Sequence, residues 1–243
     1  MLTQQLNGLK IWLKESDNPT SRKVFLILKA VRACDLPTPK WFNALIAALY
    51  NLFNSVIASV LRVLIHTPAF KGRLSQYGRG LYLFGGVPFV SGPLEISIGD
   101  DCRISGQTTF SGRPQTHRPQ LTVGSNVDIG WQSTFAVGRK IEIQDNVRIA
   151  GRAFFFGYSG HSMDAALRAK GDGDLEQDIG DIVLEKDVWI GTNVTICPNV
   201  TIGQGSIIGT GSVVTKDIPP YVVAVGNPAK VVRALDKSEF SDA

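Results

Sequence analysis

The sequence predicts a mainly β fold, a parallel β-helix of hexapeptide repeats preceded by an α-helical N-terminal region. The first observation behind this is a spacing. Between Val188 and Thr215 a branched aliphatic residue returns at every sixth position, at Ile190, Ile196, Ile202, Ile208 and Val214, and Leu184 extends the series backwards. The second is the glycine that follows three of these positions, at Gly191, Gly203 and Gly209. The third is a change of character along the chain, because residues 1–80 have few glycines and no hexads but several runs that read as helix. A helix repeats near 3.6 residues and a half-buried strand every two, so a strict six belongs to a larger unit. Six residues per side and three sides per coil turn one aliphatic side chain inward per side and stack it on its equivalent one coil away, which buries a continuous core. Glycine is assigned the corners.

In chain order, residues 1–80 form the helical region. LNGLKIWLK and SRKVFLILKAVRA read as short helices, the second with Ser21 as its N-terminal cap and Pro37 and Pro39 beyond its end. The stretch WFNALIAALYNLFNSVIASVLRVLIHTPAF, Trp41 to Phe70, is the most apolar in the chain, yet Asn43, Asn51, Asn54, Ser55, Ser59 and Arg62 punctuate it. A membrane span needs about 20 largely apolar residues and tolerates such groups poorly at its centre. The segment therefore reads first as a helix packed on its neighbours or on another subunit. It reads second as an amphipathic helix in a membrane interface, aided by Lys10, Lys14, Arg22, Lys23, Lys29 and Arg32, and last as a span.

Residues 81–232 form the β-helix, with further hexads at Ile98, Ile104 and Phe110, at Val123, Ile129 and Phe135, and at Ile143, Ile149 and Phe155. The last of these runs restarts two residues out of register after Ile141. Two breaks locate insertions. SGRPQTHRPQ, Ser111 to Gln120, carries two prolines and reads as a loop leaving the coil. The longer one, 157–181, lacks an inward aliphatic at the required spacing, and a long loop on a rigid scaffold is a usual seat of function. Residues 233–243 form a C-terminal tail.

Composition limits the possibilities. With 44% hydrophobic residues the chain is a folded protein, and a net charge of +4 permits contact with anionic groups while giving little support to nucleic-acid binding. Cys34, Cys102 and Cys197 are isolated and show no paired metal-ligand spacing, which suits reduced thiols; Cys197, beside inward Ile196, is placed at a surface or corner. The N-terminal stretch lacks the pattern of a signal peptide. The chain is therefore expected in the cytoplasm, with residues 1–80 able to bring it to the inner face of the membrane.

The regular hexads, the WIG at Trp189 to Gly191, a histidine in a protruding loop and the ending TKDIPPYVVAVGNPAKVV together resemble the left-handed β-helix acyltransferases of the hexapeptide-repeat family. The resemblance covers roughly Ile96 to Val232 and is closest to the sugar O-acetyltransferases. TKDIPP, Thr215 to Pro220, and GNPAK, Gly226 to Lys230, are far more specific than hexads alone. What the resemblance implies is a left-handed coil, a hand that runs against the usual right-handed preference of parallel crossovers and that periodicity does not supply. It also implies a homotrimer with the active site in the groove between neighbouring subunits. The donor would be acetyl-CoA, with no metal, and the acceptor a sugar or lipid-linked glycan of the kind found in capsule, exopolysaccharide or lipopolysaccharide.

Acetyl transfer to a hydroxyl needs a base for the attacking oxygen and a donor for the developing oxyanion. Histidine suits the first task, since its unperturbed pKa of about 6.5 leaves it mostly neutral near pH 7. Of three histidines, His66 lies in the apolar helical region, His117 in the short insertion where it could line a substrate cleft, and His161 where the family places its catalytic base. Asp164, three residues on, is a candidate to orient the imidazole or contact the sugar. Tyr158, Ser159 and Gly160 surround the base, and backbone amides nearby are candidates for the oxyanion donor. The acceptor-binding asparagine of some relatives has no match in GWQSTF, which leaves Trp131 and Gln132 as substitutes. By the same resemblance Thr192 and Thr210 hold the pantetheine, Thr215 and Lys216 reach the nucleotide end, Lys230 offers charge-assisted bonds to phosphate, and Trp189 flanks the thioester.

Competing readings remain. An amino-sugar N-acetyltransferase is the nearest, and an acyl-carrier-protein-dependent enzyme is disfavoured by the TKDIPP and GNPAK ending. A metal-dependent lyase on the same scaffold would gather three histidines, and neither His117 nor His161 shows partner spacing. A non-catalytic β-helical scaffold would bind no coenzyme A.

Overall fold

The computed structural model describes residues 2–236; the end of the predicted C-terminal tail, 237–243, lies outside the described residues. The chain divides into two compact units, Met1–Asn54 and Ser55–Ala243. Its N-terminal helices are α1 (Leu2–Glu15), α2 (Pro19–Arg32), α3 (Lys40–Leu61) and, after a π-helical turn at Arg62–His66, α4 (Thr67–Lys71). The cap of α2 is Asn18, not Ser21: its side chain accepts the Thr20 amide at 2.9 Å, and Pro19 takes the first helical position, where a missing N–H goes unnoticed. Ser21 is buried inside the first turn. No residue of α3 is buried.

From Gln76 the chain winds into a parallel β-helix. Among the described residues three sheets of six, eight and six strands form its faces. Gln76–Tyr77 is the first strand and pairs with Ser97 and Ile98, so the stack begins ahead of residue 81. The inward residues align from coil to coil. On the first face Ile98, Val123, Ile143, Leu184 and Ile202 are in register. On the second, Leu83, Ile104, Ile129, Ile149, Ile190, Ile208 and Ala224 are. On the third, Phe110, Phe135, Phe155, Ile196 and Val214 are. The two-residue slip after Ile141 lies at the corner before it: Phe135 and Ile143 are eight positions apart where the equivalent Ile196 and Ile202 are six, and Ile141 stacks on Leu121 while Ile143 stacks on Val123. All are buried.

The ends of the stack differ. Phe70 of α4 is fully buried and continues the third-face aromatic column, with ring centroids 6.2 Å apart to Phe110, then 5.2 Å to Phe135 and 4.2 Å to Phe155. It closes the N-terminal end of the core. At the other end Val222–Gly226 and Ala229–Ala234 fold back as an antiparallel pair, which ends the parallel winding.

Glycine does occupy corners, and Gly205 and Gly211 have positive φ there. The glycines after Ile190 and Ile202 are required by the coil beside them: a Cβ on Gly191 would lie 2.7 Å from the Thr210 amide nitrogen, and one on Gly203 would lie 2.4 Å from the backbone nitrogen of Pro220. The left-handed turn residues are mostly polar. Asn126, Asn146 and Asp187, all with φ between 55° and 65°, occupy one corner on successive coils and are laddered by side-chain hydrogen bonds of 2.9 Å. Cys102 is buried, its thiol pushed up by burial, and Cys197 is half-buried at a corner with its thiol also raised by burial.

Truncating the middle of the aromatic column is expected to be costly. Phe135→Ala should lower stability by about 3–5 kcal/mol, the range for deleting a buried aromatic ring, in denaturant unfolding of the full chain.

Candidate active site

Both insertions leave the stack at the same corner, between the third and first faces. The short one follows strand Thr109–Gly112 and the long one follows Phe154–Phe156, two coils further on. The coil between them turns this corner tightly, and a Cβ on Gly138 would lie 2.5 Å from the Gly157 carbonyl oxygen. Within the long loop a short helix, α5 (Ala165–Ala169), precedes a 3-10 turn at Glu176–Asp178.

A buried ion pair joins the two insertions. Arg113 Nε donates to Asp174 Oδ1 at 2.9 Å and Nη2 to the Asp174 carbonyl at 2.8 Å, while Nη1 reaches Glu176 Oε2 at 2.9 Å and Thr116 Oγ1 at 3.1 Å. The side chains of Arg113 and Asp174 are 5% and 0% exposed, so this is an interior pair. The second oxygen of Asp174 accepts the amides of Ser159 at 2.9 Å and Gly160 at 3.1 Å. Burial alone would raise the Asp174 carboxyl, but the Arg113 hydrogen bond and charge and the two amides outweigh it and hold the group below the usual carboxylate range. Arg113 is likewise desolvated, and its partners Asp174 and Glu176 more than compensate. A second tie is the 2.6 Å hydrogen bond between the hydroxyls of Ser111 and Tyr158.

The backbone entering His161 is thereby fixed. Ser159 Oγ donates to the His161 carbonyl at 2.8 Å and lies 3.3 Å from the His161 amide, and Gly160 sits at φ +77°. The His161 side chain is exposed, and among the described residues no hydrogen bond or ion pair reaches its ring. Asp164 serves as the N-cap of α5, its Oδ1 accepting the amides of Ala166 at 2.7 Å and Leu167 at 3.1 Å, so it does not orient the imidazole in this arrangement. The amides of Ser159 and Gly160, candidates for the oxyanion donor, are already taken by Asp174. Arg113 and Asp174 are the residues sequence reasoning missed, because each lies in a segment that carries no signal beyond loop.

The other candidates fall into two groups. His117 is exposed in the short insertion, and Thr215 and Lys216 are exposed at the same third-to-first corner as the His161 loop. Trp131, Gln132, Thr192 and Thr210 line the opposite corner, between the second and third faces. There Arg152 lies 4.8 Å from the Trp131 ring centroid and donates to Gln132 Oε1 at 3.2 Å, and the Thr192 carbonyl accepts the Gly211 amide at 2.9 Å. Trp189 projects from the second face, 52% exposed, and Lys230 is exposed in the final hairpin opposite Val225. Among the described residues no hydrogen bond or ion pair connects the two corners, which flank the third face. That face presents Phe89, 63% exposed, and Phe154 outward. Among the described residues no three His, Cys, Asp or Glu side chains are grouped to hold a metal ion.

The stack and its corners form a parallel β-helix built on a six-residue repeat. Residues 181–216 match the bacterial transferase hexapeptide family (six repeats). The galactoside O-acetyltransferase of Escherichia coli K12 is 36% identical over 140 residues, 58% of this chain and 64% of that protein. The polysialic acid O-acetyltransferase of Escherichia coli O1:K1 is 42% identical over 122 residues, 46% of this chain and 38% of that one. The chain thus spans less than two thirds of the length of either. Among solved structures, AntD, an N-acyltransferase from Bacillus cereus crystallised as a point mutant with dTDP and coenzyme A, superposes with a TM-score of 0.59 at 23% identity, over 71% of this chain and 90% of that one. This likeness is one of fold.

Replacing Arg113 by Met strands a buried carboxylate, at a cost of about 3–5 kcal/mol to the loop's folded state. Hydrogen exchange of the Ser159 and Gly160 amides should rise steeply while the stack keeps its protection. Acid should reproduce this in the wild type. With a folded pKa below its unfolded value, Asp174 contributes its full stabilisation above the ordinary carboxylate range and loses it as pH falls through the lowered value.

Proposed function

We propose that the protein is an acetyl-CoA-dependent O-acetyltransferase acting on a hydroxyl of a sugar or glycan precursor, with His161 as general base. The observation that carries this reading is the contrast at residues 159–161: the backbone is fixed by a buried ion pair while the imidazole that follows is exposed and unbound. A base held that way can approach an acceptor hydroxyl and take its proton as the oxygen attacks the thioester. Two relatives named for O-acetyl transfer support the choice of oxygen over nitrogen.

The donor has chemically suitable partners. Thr192 and Thr210 sit one above the other on one corner and can bond the amides of a pantetheine arm, and exposed Lys216 and Lys230 can neutralise phosphates. Since these threonines and His161 lie on opposite edges of the third face, the reading also takes the site to be completed between copies of the chain in a homotrimer. The exposed Phe89 and Phe154 on that face supply apolar surface for such contact.

The test is thiol release from acetyl-CoA across a panel of sugars, sugar nucleotides and glycan fragments. Acceptor-dependent release should fall about 100-fold or more in His161→Ala, the lower range for losing a general base. Release that requires an amino sugar and ignores hydroxyl acceptors would assign N-acetyl transfer instead, and no release together with no coenzyme A binding would leave a scaffold.

A further inference from the structure

The helix Lys40–Lys71 is long and apolar, with a mean hydropathy of 1.8 in its most apolar window and none of that window buried. Its polar residues are not scattered. At 3.6 residues per turn, Asn43, Asn51, Asn54, Ser55, Ser59 and Arg62 all fall within about 160° of the circumference, and alanines fill the rest of that side. The opposite side is built of large apolar groups, among them Leu45, Leu49, Leu52, Phe53, Val56 and Val60, each about half exposed or more. A soluble monomer rarely leaves so continuous an apolar surface open.

Charge decides what covers it. Residues 1–75 hold ten Lys or Arg against three Asp or Glu, a net +7, whereas the remaining chain holds 15 against 18, a net −3. No acidic residue occurs between Asp35 and Glu95. Beyond the apolar face, Arg62 is held 4.4 Å from the Tyr82 ring centroid and Lys71 4.6 Å from that of Tyr77, which keeps both cations near the end of the helix. A second copy of residues 1–75 would bring like charges together, whereas an anionic surface would neutralise them. Trp41 and Tyr50, both about two-thirds exposed, have the amphipathic rings that settle at headgroup depth.

We propose that α3 lies in the interface of a bilayer containing anionic lipids, with its Leu, Phe and Val side in the acyl boundary and its Asn, Ser and Arg side toward water. The polar side, running the length of the helix, is what separates this from a membrane span. The surface would hold the protein where lipid-linked acceptors reside, but its test involves neither donor nor acceptor.

Full-length protein is floated with vesicles of phosphatidylcholine alone or with about one-third phosphatidylglycerol. It should float with the mixed vesicles, bind at least tenfold less to phosphatidylcholine alone and be released by alkaline carbonate. Phe53→Ser with Val56→Ser should lower binding at least tenfold, while Asn51→Ser with Asn54→Ser on the other side should change it less than twofold. Circular dichroism and light scattering accompany each sample. Four results would overturn the proposal: a folded wild type that does not float, equal loss in both pairs of variants, carbonate-resistant retention, or an oligomer that the apolar-side pair dissociates without any vesicle binding by the wild type.

Discussion

Coils of this protein stack at the spacing of backbone hydrogen bonds between parallel strands, about 4.8 Å, and the rest of the structure obeys that limit. At such a distance a Cβ on certain corner residues would run into the next coil. Gly191 and Gly203 are therefore glycine because of the neighbouring coil, while asparagine and aspartate supply the left-handed backbone where a side chain can point outward. The same limit fixes where function can be added. Strands cannot lengthen without losing register, so extra chain leaves only at corners, and both insertions do so.

Their shared corner turns two unrelated loops into one assembly. Arg113 from the first and Asp174 from the second meet in a dry interior pair, and the leftover oxygen of Asp174 holds the two amides ahead of His161. An ion pair in such a place is a poor source of net stability, since desolvation consumes much of the attraction. Its value here is geometric: one carboxylate spans the Arg113 guanidinium and two backbone donors, so the segment before His161 has one arrangement. The histidine side chain is left exposed, while Asp164, which sequence places near it, is spent on capping α5.

The N-terminal region follows different physics. From α4, Phe70 extends the aromatic column and seals it. No residue of α3 is buried, and the excess of positive charge in residues 1–75 lies mostly on the segments around it.

By itself the sequence determined the stack. A six-residue period is read from local spacing alone, and every inward position named from it, Ile98 through Val214, is buried and in register. It also located both insertions, since a break in period is as visible as the period, and offered His161 as the candidate base. Tertiary structure decided the rest, because those features depend on residues far apart in sequence. Only stacking brings the corner after Gly112 over the corner after Gly157, so the Arg113 to Asp174 pair, 61 residues apart, has no sequence signature. Only the folded loop shows that Asp164 and the Ser159 and Gly160 amides are already engaged. And only the arrangement of corners separates Thr192 and Thr210 from His161, since a period of six says that residues recur but not which edge of a face they share.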